Sequence, residues 1–401
     1  MPNHRIQITA PYLQRGTTEF RFMTIARDQH RMFLGQRNVS NGCEMTLESP
    51  AAPIAGTWRD SLAETQKNIL VTGGAGYIGS HTAKALARAG FSPIAYDNLH
   101  QGHRRAVQWG PLVEGDIGNK EKLLETIDSH EISAVLHFAA FAYVGESMQK
   151  PEVYFDNNVR KSLTLLDALV EARVKHVIFS SSCATYGTPS CLPITEDTPQ
   201  LPVNPYGETK LMFERALRWY AEAHRFSWTA LRYFNAAGAD PDGELGESHA
   251  PETHLIPLVL DSALGRRTLD VNGDDYPTPD GTCVRDYIHV ADLADAHVQA
   301  LTYLMDGGKS AALNLGTGHG CSVMQVIHAV EKVVGRKVAY RVCNRRQGDP
   351  AVLVADPSLA GEVLGWHPMQ SGIDEIVGTA WKWHTGKLAD WNTTSDGSAA
   401  H

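Results

Sequence analysis

The chain has 401 residues, 43% hydrophobic and 20% charged, a balance that excludes a disordered protein and leaves room for two domains of ordinary size. No apolar run reaches the roughly 18 residues of a membrane helix, so no membrane partner is expected. A net charge of −9 likewise argues against a nucleic-acid partner.

Residues 1–66 carry seven arginines and six acids, with no sustained hydrophobic period. They read as a flexible extension, or as sequence translated upstream of the true start, since Met23, Met32 and Met45 are also available. Glu19 and Asp28 oppose a transit peptide. Pro50, Pro53 and Gly56 read as a linker.

The pattern changes at Lys67. The run Asn68-Ile-Leu-Val-Thr72 leads into Gly73-Gly-Ala-Gly-Tyr-Ile-Gly79, and a helical pattern follows to Gly90. A strand Pro93–Tyr96 ends at Asp97, and a shorter one from Leu112 ends near Asp116. Helix Lys120–Ser129, strand Ala134–Phe138, helix Val153–Ala172 and strand His176–Ser180 continue the alternation. Apolar strands alternating with helices predict an α/β fold: a doubly wound, parallel-sheet Rossmann NAD-binding domain over 67–235. Beyond Gly238 the alternation weakens, which predicts a smaller C-terminal α/β substrate domain over 236–390, with some segments returning to the first, and a polar tail over 391–401.

Three local patterns carry chemistry. In Gly73-x-x-Gly76-x-x-Gly79, between a strand and a helix, backbone N–H groups face a pyrophosphate. Asp97, ending the next strand, can accept hydrogen bonds from the adenosine ribose and would repel a 2′-phosphate, which favours NAD over NADP. In Tyr206-Gly-Glu-Thr-Lys210, opening a helix after Pro205, the i,i+4 spacing puts both side chains on one face. A tyrosine acting as a base near pH 7 needs its pKa lowered by about three units, roughly 4 kcal/mol; an ammonium and a positive nicotinamide ring would supply it. Ser180-Ser-Ser-Cys-Ala-Thr-Tyr-Gly187 ends a parallel strand, where Ser182 could bridge the tyrosine oxygen and a sugar hydroxyl. Six cysteines without Cys-x-x-Cys fit reduced thiols in the cytoplasm, with Cys183, Cys283 and Cys321 in segments expected to be buried. The 18 histidines contain neither His-x-x-x-His nor His-Glu-x-x-His, so no metal site is expected.

From Lys67 to Lys387 the sequence resembles the UDP-glucose 4-epimerase (UDP-galactose 4-epimerase) family of extended short-chain dehydrogenases/reductases. The stretches that carry the resemblance are NILVTGGAGYIGSHT, YDNL, the Glu-Gly-Asp116-Ile117 stretch, HFAAFAYVGES, DNNV, SSSCATYG, NPYGETK, LRYFNAAGA, DYPTPDGTCVRDYIHVADLADAH and RRQGDPA. The resemblance implies Tyr206 as catalytic base and acid, Lys210 as its pKa partner and Ser182 as the bridging hydroxyl. It implies a site for NAD lined by Gly73, Gly76, Tyr77, Ile78, Gly79, Asp97, Asn98, Asp116, Ile117, Phe138, Ala139, Ala140, Asn157, Lys210 and Phe234. Ser182, Tyr206, Asn235, Arg285, Arg346 and Asp349 would hold the nucleotide-sugar; Arg285 and Arg346 suit a diphosphate in their own right, as guanidinium forks. Ala142 stands where some members carry a lysine, and Leu353 where a bulkier or smaller residue sets tolerance for N-acetylated sugars.

The implied reaction is reversible oxidation at carbon 4 of UDP-glucose or UDP-galactose with NAD kept bound, in a homodimer formed by helices around Val153–Ala172 and Tyr206–His224. A 4-epimerase of UDP-xylose, UDP-glucuronate or UDP-GlcNAc is the alternative. A 4,6-dehydratase is opposed by Cys183-Ala184, where that family carries an Asp-Glu pair, and a non-catalytic NAD sensor by the presence of both Tyr206 and Lys210.

Overall fold

The apolar run after Lys67 becomes the middle of a seven-stranded sheet, in a computed structural model that describes residues 67–346, 349–386 and Trp391. The extension expected over 1–66, the tail residues 392–401, and Gln347 and Gly348 of the RRQGDPA stretch lie outside the described residues. The strands are β1 (Asn68–Thr72), β2 (Ser92–Asp97), β3 (Leu112–Glu114), β4 (Ile132–His137), β5 (His176–Ser182), β6 (Ser227–Tyr233), β7 (Asn235–Ala237), β8 (Leu269–Asn272), β9 (Val284–His289), β10 (Ala311–Leu315), β11 (Gly320–Ser322), β12 (Tyr340–Cys343) and β13 (Val352–Leu353). The large sheet runs β3-β2-β1-β4-β5-β6-β10, parallel at every pairing. Its strand order reverses between β1 and β4, and ligands bind at the carboxyl edge of such a switch point.

Both faces of this sheet are covered, and the period of two in the strands decides which residue goes where. Leu70, Val135, Val177 and Phe179 face a cluster with helices Lys120–Ser129, Ser162–Glu171 and Pro205–His224. Ile69, Val71, Leu136 and Ile178 face the opposite cluster, with Leu86 of helix Tyr77–Arg88 and Leu293, Ala296 and Leu301 of helix Val290–Met305. The lobes are therefore not contiguous in sequence: β10 and helix Val290–Met305 lie beyond residue 235 yet complete the large sheet and its cover. The smaller lobe packs helices Leu255–Ala263, Val323–Val334 and Ile373–Thr385 around Val259, Val326 and Ile376. Its strands β7, β11 and β13 all pair with β9 or its flanks, and β8 pairs with β12.

Some elements differ from the sequence expectation. The single helix expected over Val153–Ala172 is instead Pro151–Phe155, a π-helical turn at Asp156–Lys161, and Ser162–Glu171. The wide turn carries Asn157 and Asn158, both buried, and such turns re-aim side chains that a regular helix would misplace. Strand β5 continues two residues past Ser180, which makes Ser182 its last residue. Cys183 is buried, but Cys283 and Cys321 are only half-buried, packed against the outside of the smaller lobe's core cluster. Among the described residues, no helix is long and apolar enough to cross a membrane.

Of the five buried histidines among the described residues, His81 (4% exposed), His137 (2%) and His297 (0%) are the most strongly shifted. Burial pushes the pKa of His81 down to about 4, of His137 to about 3 and of His297 to about 4. His137 satisfies both ring nitrogens, against Thr72 Oγ1 (2.8 Å) and Ser162 Oγ (3.1 Å). In the unfolded chain the same rings protonate below about pH 6.5, so the unfolded state then binds more protons and stability falls as pH falls. Between pH 6.5 and 5 the expected loss is on the order of 2 kcal/mol per histidine. Thermal melts at pH 7 and pH 5 check this; an unchanged melting temperature would contradict it.

Candidate active site

The loop from β1 to helix Tyr77–Arg88 is shaped by glycine. Gly73 has φ +73°, and a Cβ on Gly79 would sit 2.2 Å from the Gly73 carbonyl oxygen, so the first turn of the helix can close onto the loop only without side chains there. Gly76 is the N-cap and offers no side-chain oxygen to the first N–H groups of the helix, which leaves them for an anion. Tyr77 donates to the Gly238 carbonyl (2.6 Å) and ties this turn to the chain beyond β7.

Asp97 ends β2 beside that turn, 8% exposed, and accepts from the N–H groups of Ala75 (3.0 Å) and Leu99 (2.8 Å). Burial pushes its carboxyl above the usual range despite those two donors, so further donors such as ribose hydroxyls would be welcome. Asp116 lies after β3; burial alone would raise it, but Lys161 (2.8 Å), the Gly118 N–H (2.8 Å) and Asn98 (3.1 Å) together hold it low. Ile117 is buried in the core beneath it, and Ile78 packs on the opposite cluster. Phe138 follows β4, its backbone N–H on Thr72 (2.9 Å) and its ring on His297; Ala139 and Ala140 follow it, Ala139 closing on Gly73.

Asn157 donates to Asn158 (3.1 Å), and Asn158 holds both the N–H (2.8 Å) and the carbonyl (2.9 Å) of Phe141 and reaches Thr209 (3.2 Å). Asn158 thus joins the loop after β4 to helix Pro205–His224, a role the sequence reading missed. A Gly-rich turn, free helix N–H groups, an acceptor at the end of β2 and an apolar wall at 138–140 fit a dinucleotide.

Tyr206 and Lys210 lie in the first turns of helix Pro205–His224, where Pro205 opens the helix and Asn204 caps it on the Gly207 N–H (2.8 Å). A Cβ on Gly207 would meet the Ala184 carbonyl oxygen at 2.4 Å, so glycine lets this helix lie against the turn after Ser182. Lys210, 3% exposed, donates to the Ser180 carbonyl (2.8 Å), with its ammonium 5.8 Å from the Tyr206 ring centre and 5.0 Å from that of Phe179. Burial pushes Lys210 down to about 7, with Glu214 opposing. Burial also pushes the Tyr206 hydroxyl up to about 12, with a hydrogen bond to Ser182 opposing. The depression expected from the sequence is thus not present in the protein alone, because Lys210 points at a backbone carbonyl and desolvation dominates. Positive charge brought by a ligand would favour the tyrosinate.

The remaining candidates approach the same place from the smaller lobe. Phe234 and Leu353 pack around buried Cys183, and Asn235 opens β7, which pairs with β9. Arg285, 8% exposed on β9, donates to the Val284 carbonyl (2.8 Å) and pairs with Asp349. Burial would lower its pKa, but Asp349 keeps it raised. Cys183, next to Ser182, feels the charge of Arg285 and borders Tyr206, so the two sets of residues are neighbours. Arg346 is exposed and makes no ion pair among the described residues; Ala142 is also exposed.

Residues 69–316 match the NAD dependent epimerase/dehydratase family. The chain belongs to that family. It is 52% identical over 319 residues to UDP-glucose 4-epimerase of Rhizobium meliloti (strain 1021), covering 79% of this chain and 97% of that protein. Among solved structures it resembles UDP-glucose 4-epimerase from Brucella ovis in complex with NAD (55% identity, TM-score 0.77, 79% of this chain and 97% of that one). It also resembles the Bifidobacterium longum enzyme in complex with NAD+ and UDP (40% identity, TM-score 0.76, 80% and 98%).

Proposed function

We propose that the chain is an NAD-dependent isomerase that interconverts UDP-glucose and UDP-galactose. The observation that carries this reading is the placement of Tyr206 and buried Lys210 in the first turns of one helix, packed against the turn that follows Ser182 at the carboxyl end of β5. NAD, when bound, would supply a reversible hydride acceptor for carbon 4 of the sugar. Tyr206 takes the proton of the 4-hydroxyl and gives it back, Ser182 holds that hydroxyl in line, and buried Lys210 supplies charge beneath the pair. Gly73, Gly76, Gly79, Asp97 and Asp116 would position the dinucleotide, with Asn98, Ile117, Asn157 and Phe234 around it.

Arg285, Arg346, Asp349 and Asn235, from the smaller lobe, would hold the UDP half while the hexose turns. Binding energy then rests on the part that does not react, which is the economical arrangement for a reaction needing both faces of one carbon. The relatives' names and NAD complexes support the same reading.

A homodimer through the helices around Val153–Ala172 and Tyr206–His224 is supported by exposed Val153, Met212 and Trp219, with exposed Val144 and Met148 on the adjoining helix Val144–Gln149. Cytoplasmic residence is supported by the five described cysteines, all free thiols.

The test is incubation of the purified chain with UDP-galactose without added reductant, and in parallel with UDP-GlcNAc, UDP-xylose and UDP-glucuronate. UDP-glucose is the expected product. Faster turnover of another UDP-sugar would move the substrate assignment, and no turnover of any would end the epimerase reading.

A further inference from the structure

The segment between β7 and helix Leu255–Ala263 gathers Glu247, His249, Glu252 and His254, and one ligand atom from each lies within 4.8 Å of all the others. His254 Nδ1 is 2.7 Å from Glu247 Oε1; His249 Nδ1 is 3.2 Å from the same oxygen and 3.6 Å from Glu252 Oε2. Four atoms each about 2.0–2.2 Å from one ion at tetrahedral corners would be about 3.3–3.6 Å apart; the His249 distances lie near that range, and His254 Nδ1, 2.7 Å from Glu247 and 2.8 Å from Glu252, would draw back to admit the ion. His249 Nδ1 is buried without a hydrogen-bond partner, although it faces both carboxylates.

The surroundings hold these groups in place. Glu252 Oε1 accepts from the N–H groups of Thr253 (2.7 Å) and His254 (2.8 Å) and lies 2.8 Å from His254 Nδ1, while Oε2 turns toward His249. Trp383 donates to the Glu247 carbonyl (2.9 Å), and His103 lies 3.1 Å from the Ser248 carbonyl, so the backbone is anchored from two sides. The rings of Tyr77 and Tyr143 meet His249 nearly edge-on and wall off the cluster. Orientation of ligands by such outer contacts is a recurrent property of metal sites.

Charge points the same way. Among the described residues no lysine or arginine pairs with Glu247 or Glu252, both largely buried. The chain's other acidic cluster, Asp240, Asp242 and Glu244, already receives the ammonium of Lys84 at 2.7–2.9 Å. The partners the two carboxylates have are the His249 and His254 imidazoles, and a divalent ion held between neutral imidazoles would take over that charge balance. Two nitrogen and two carboxylate donors suit a borderline ion in tetrahedral geometry, which is the preference of zinc.

We propose that Glu247, His249, Glu252 and His254 bind a zinc ion as a four-ligand structural site that clips the 246–254 segment beside Tyr77 and Tyr143. With four protein ligands the ion has no open position for substrate, so its role is to hold the segment, not to react.

The full-length chain, purified without a polyhistidine tag, is loaded with zinc sulfate, gel-filtered and analysed for metal. About one zinc per chain is expected, and a cobalt-loaded sample should show the strong visible absorption of tetrahedral cobalt. His249→Ala combined with Glu252→Gln should lose the zinc, while Asp242→Asn should keep it. Zinc below about a tenth of an ion per wild-type chain, or a weak octahedral cobalt spectrum, would overturn the proposal. So would full retention by the double variant. If the double variant fails to fold, wild-type stoichiometry and the cobalt spectrum decide alone. Because none of these measurements reads epimerase activity, their outcome is separate from the outcome of the UDP-sugar assays.

Discussion

Tyr206→Phe is expected to lower kcat for UDP-galactose by about 10²–10⁴-fold, the usual contribution of a positioned acid–base group. The substitution removes one oxygen from a half-buried ring in the first turn of its helix, so folding should be preserved. NAD retained after gel filtration should equal that of the unaltered chain, because the glycine turn and Asp97 do not depend on that oxygen. Burial pushes the hydroxyl up to about 12 in the protein alone, and it is therefore a proton carrier only once positive charge arrives beside it. Activity within tenfold of the unaltered chain would show that another group moves the proton.

Glu214→Ala is expected to destabilise the fold by about 3–5 kcal/mol, because it leaves a buried guanidinium unpaired. Glu214 (5% exposed) accepts from Arg232 (3% exposed) through Nε at 3.0 Å and Nη2 at 2.7 Å, from Gln200 at 3.2 Å, and from the Ser181 hydroxyl. Arg232 also donates to the Tyr186 hydroxyl (2.9 Å), which donates to Asn314 on β10 (2.7 Å). The network joins helix Pro205–His224 to β5, β6 and β10. Glu214 lies one turn beyond Lys210, and Ser181 precedes Ser182, so the same contacts hold these candidate site residues in register. Urea unfolding followed by circular dichroism measures the loss, and removing both charges in Glu214→Leu/Arg232→Met should recover most of it. A cost below about 1 kcal/mol for Glu214→Ala would mean that water reaches Arg232.

Much of the site was legible because its chemistry is local. The glycine spacing, the acid at the end of the second strand and the i,i+4 pair of Tyr206 and Lys210 are each confined to a few residues, and backbone geometry alone aligns them. Asn158, Lys161 and the Glu214–Arg232 pair were not legible, since their partners lie 17 to 51 residues away or on another strand. The tetrad at 247–254 escaped for another reason. Its ligands are close in sequence but sit on an irregular segment, so no helical spacing of histidines betrays them.

Composition and periodicity were enough to determine a parallel α/β fold, because alternating burial writes itself into each strand and helix. Local motifs pointed to the kind of chemistry, because a glycine turn before a helix and a tyrosine–lysine face are short-range objects. Only the tertiary structure decided the state of those groups. Whether Tyr206 or Lys210 is charged depends on how much water the surrounding lobes remove, and desolvation is a sum over neighbours that no single stretch of sequence contains.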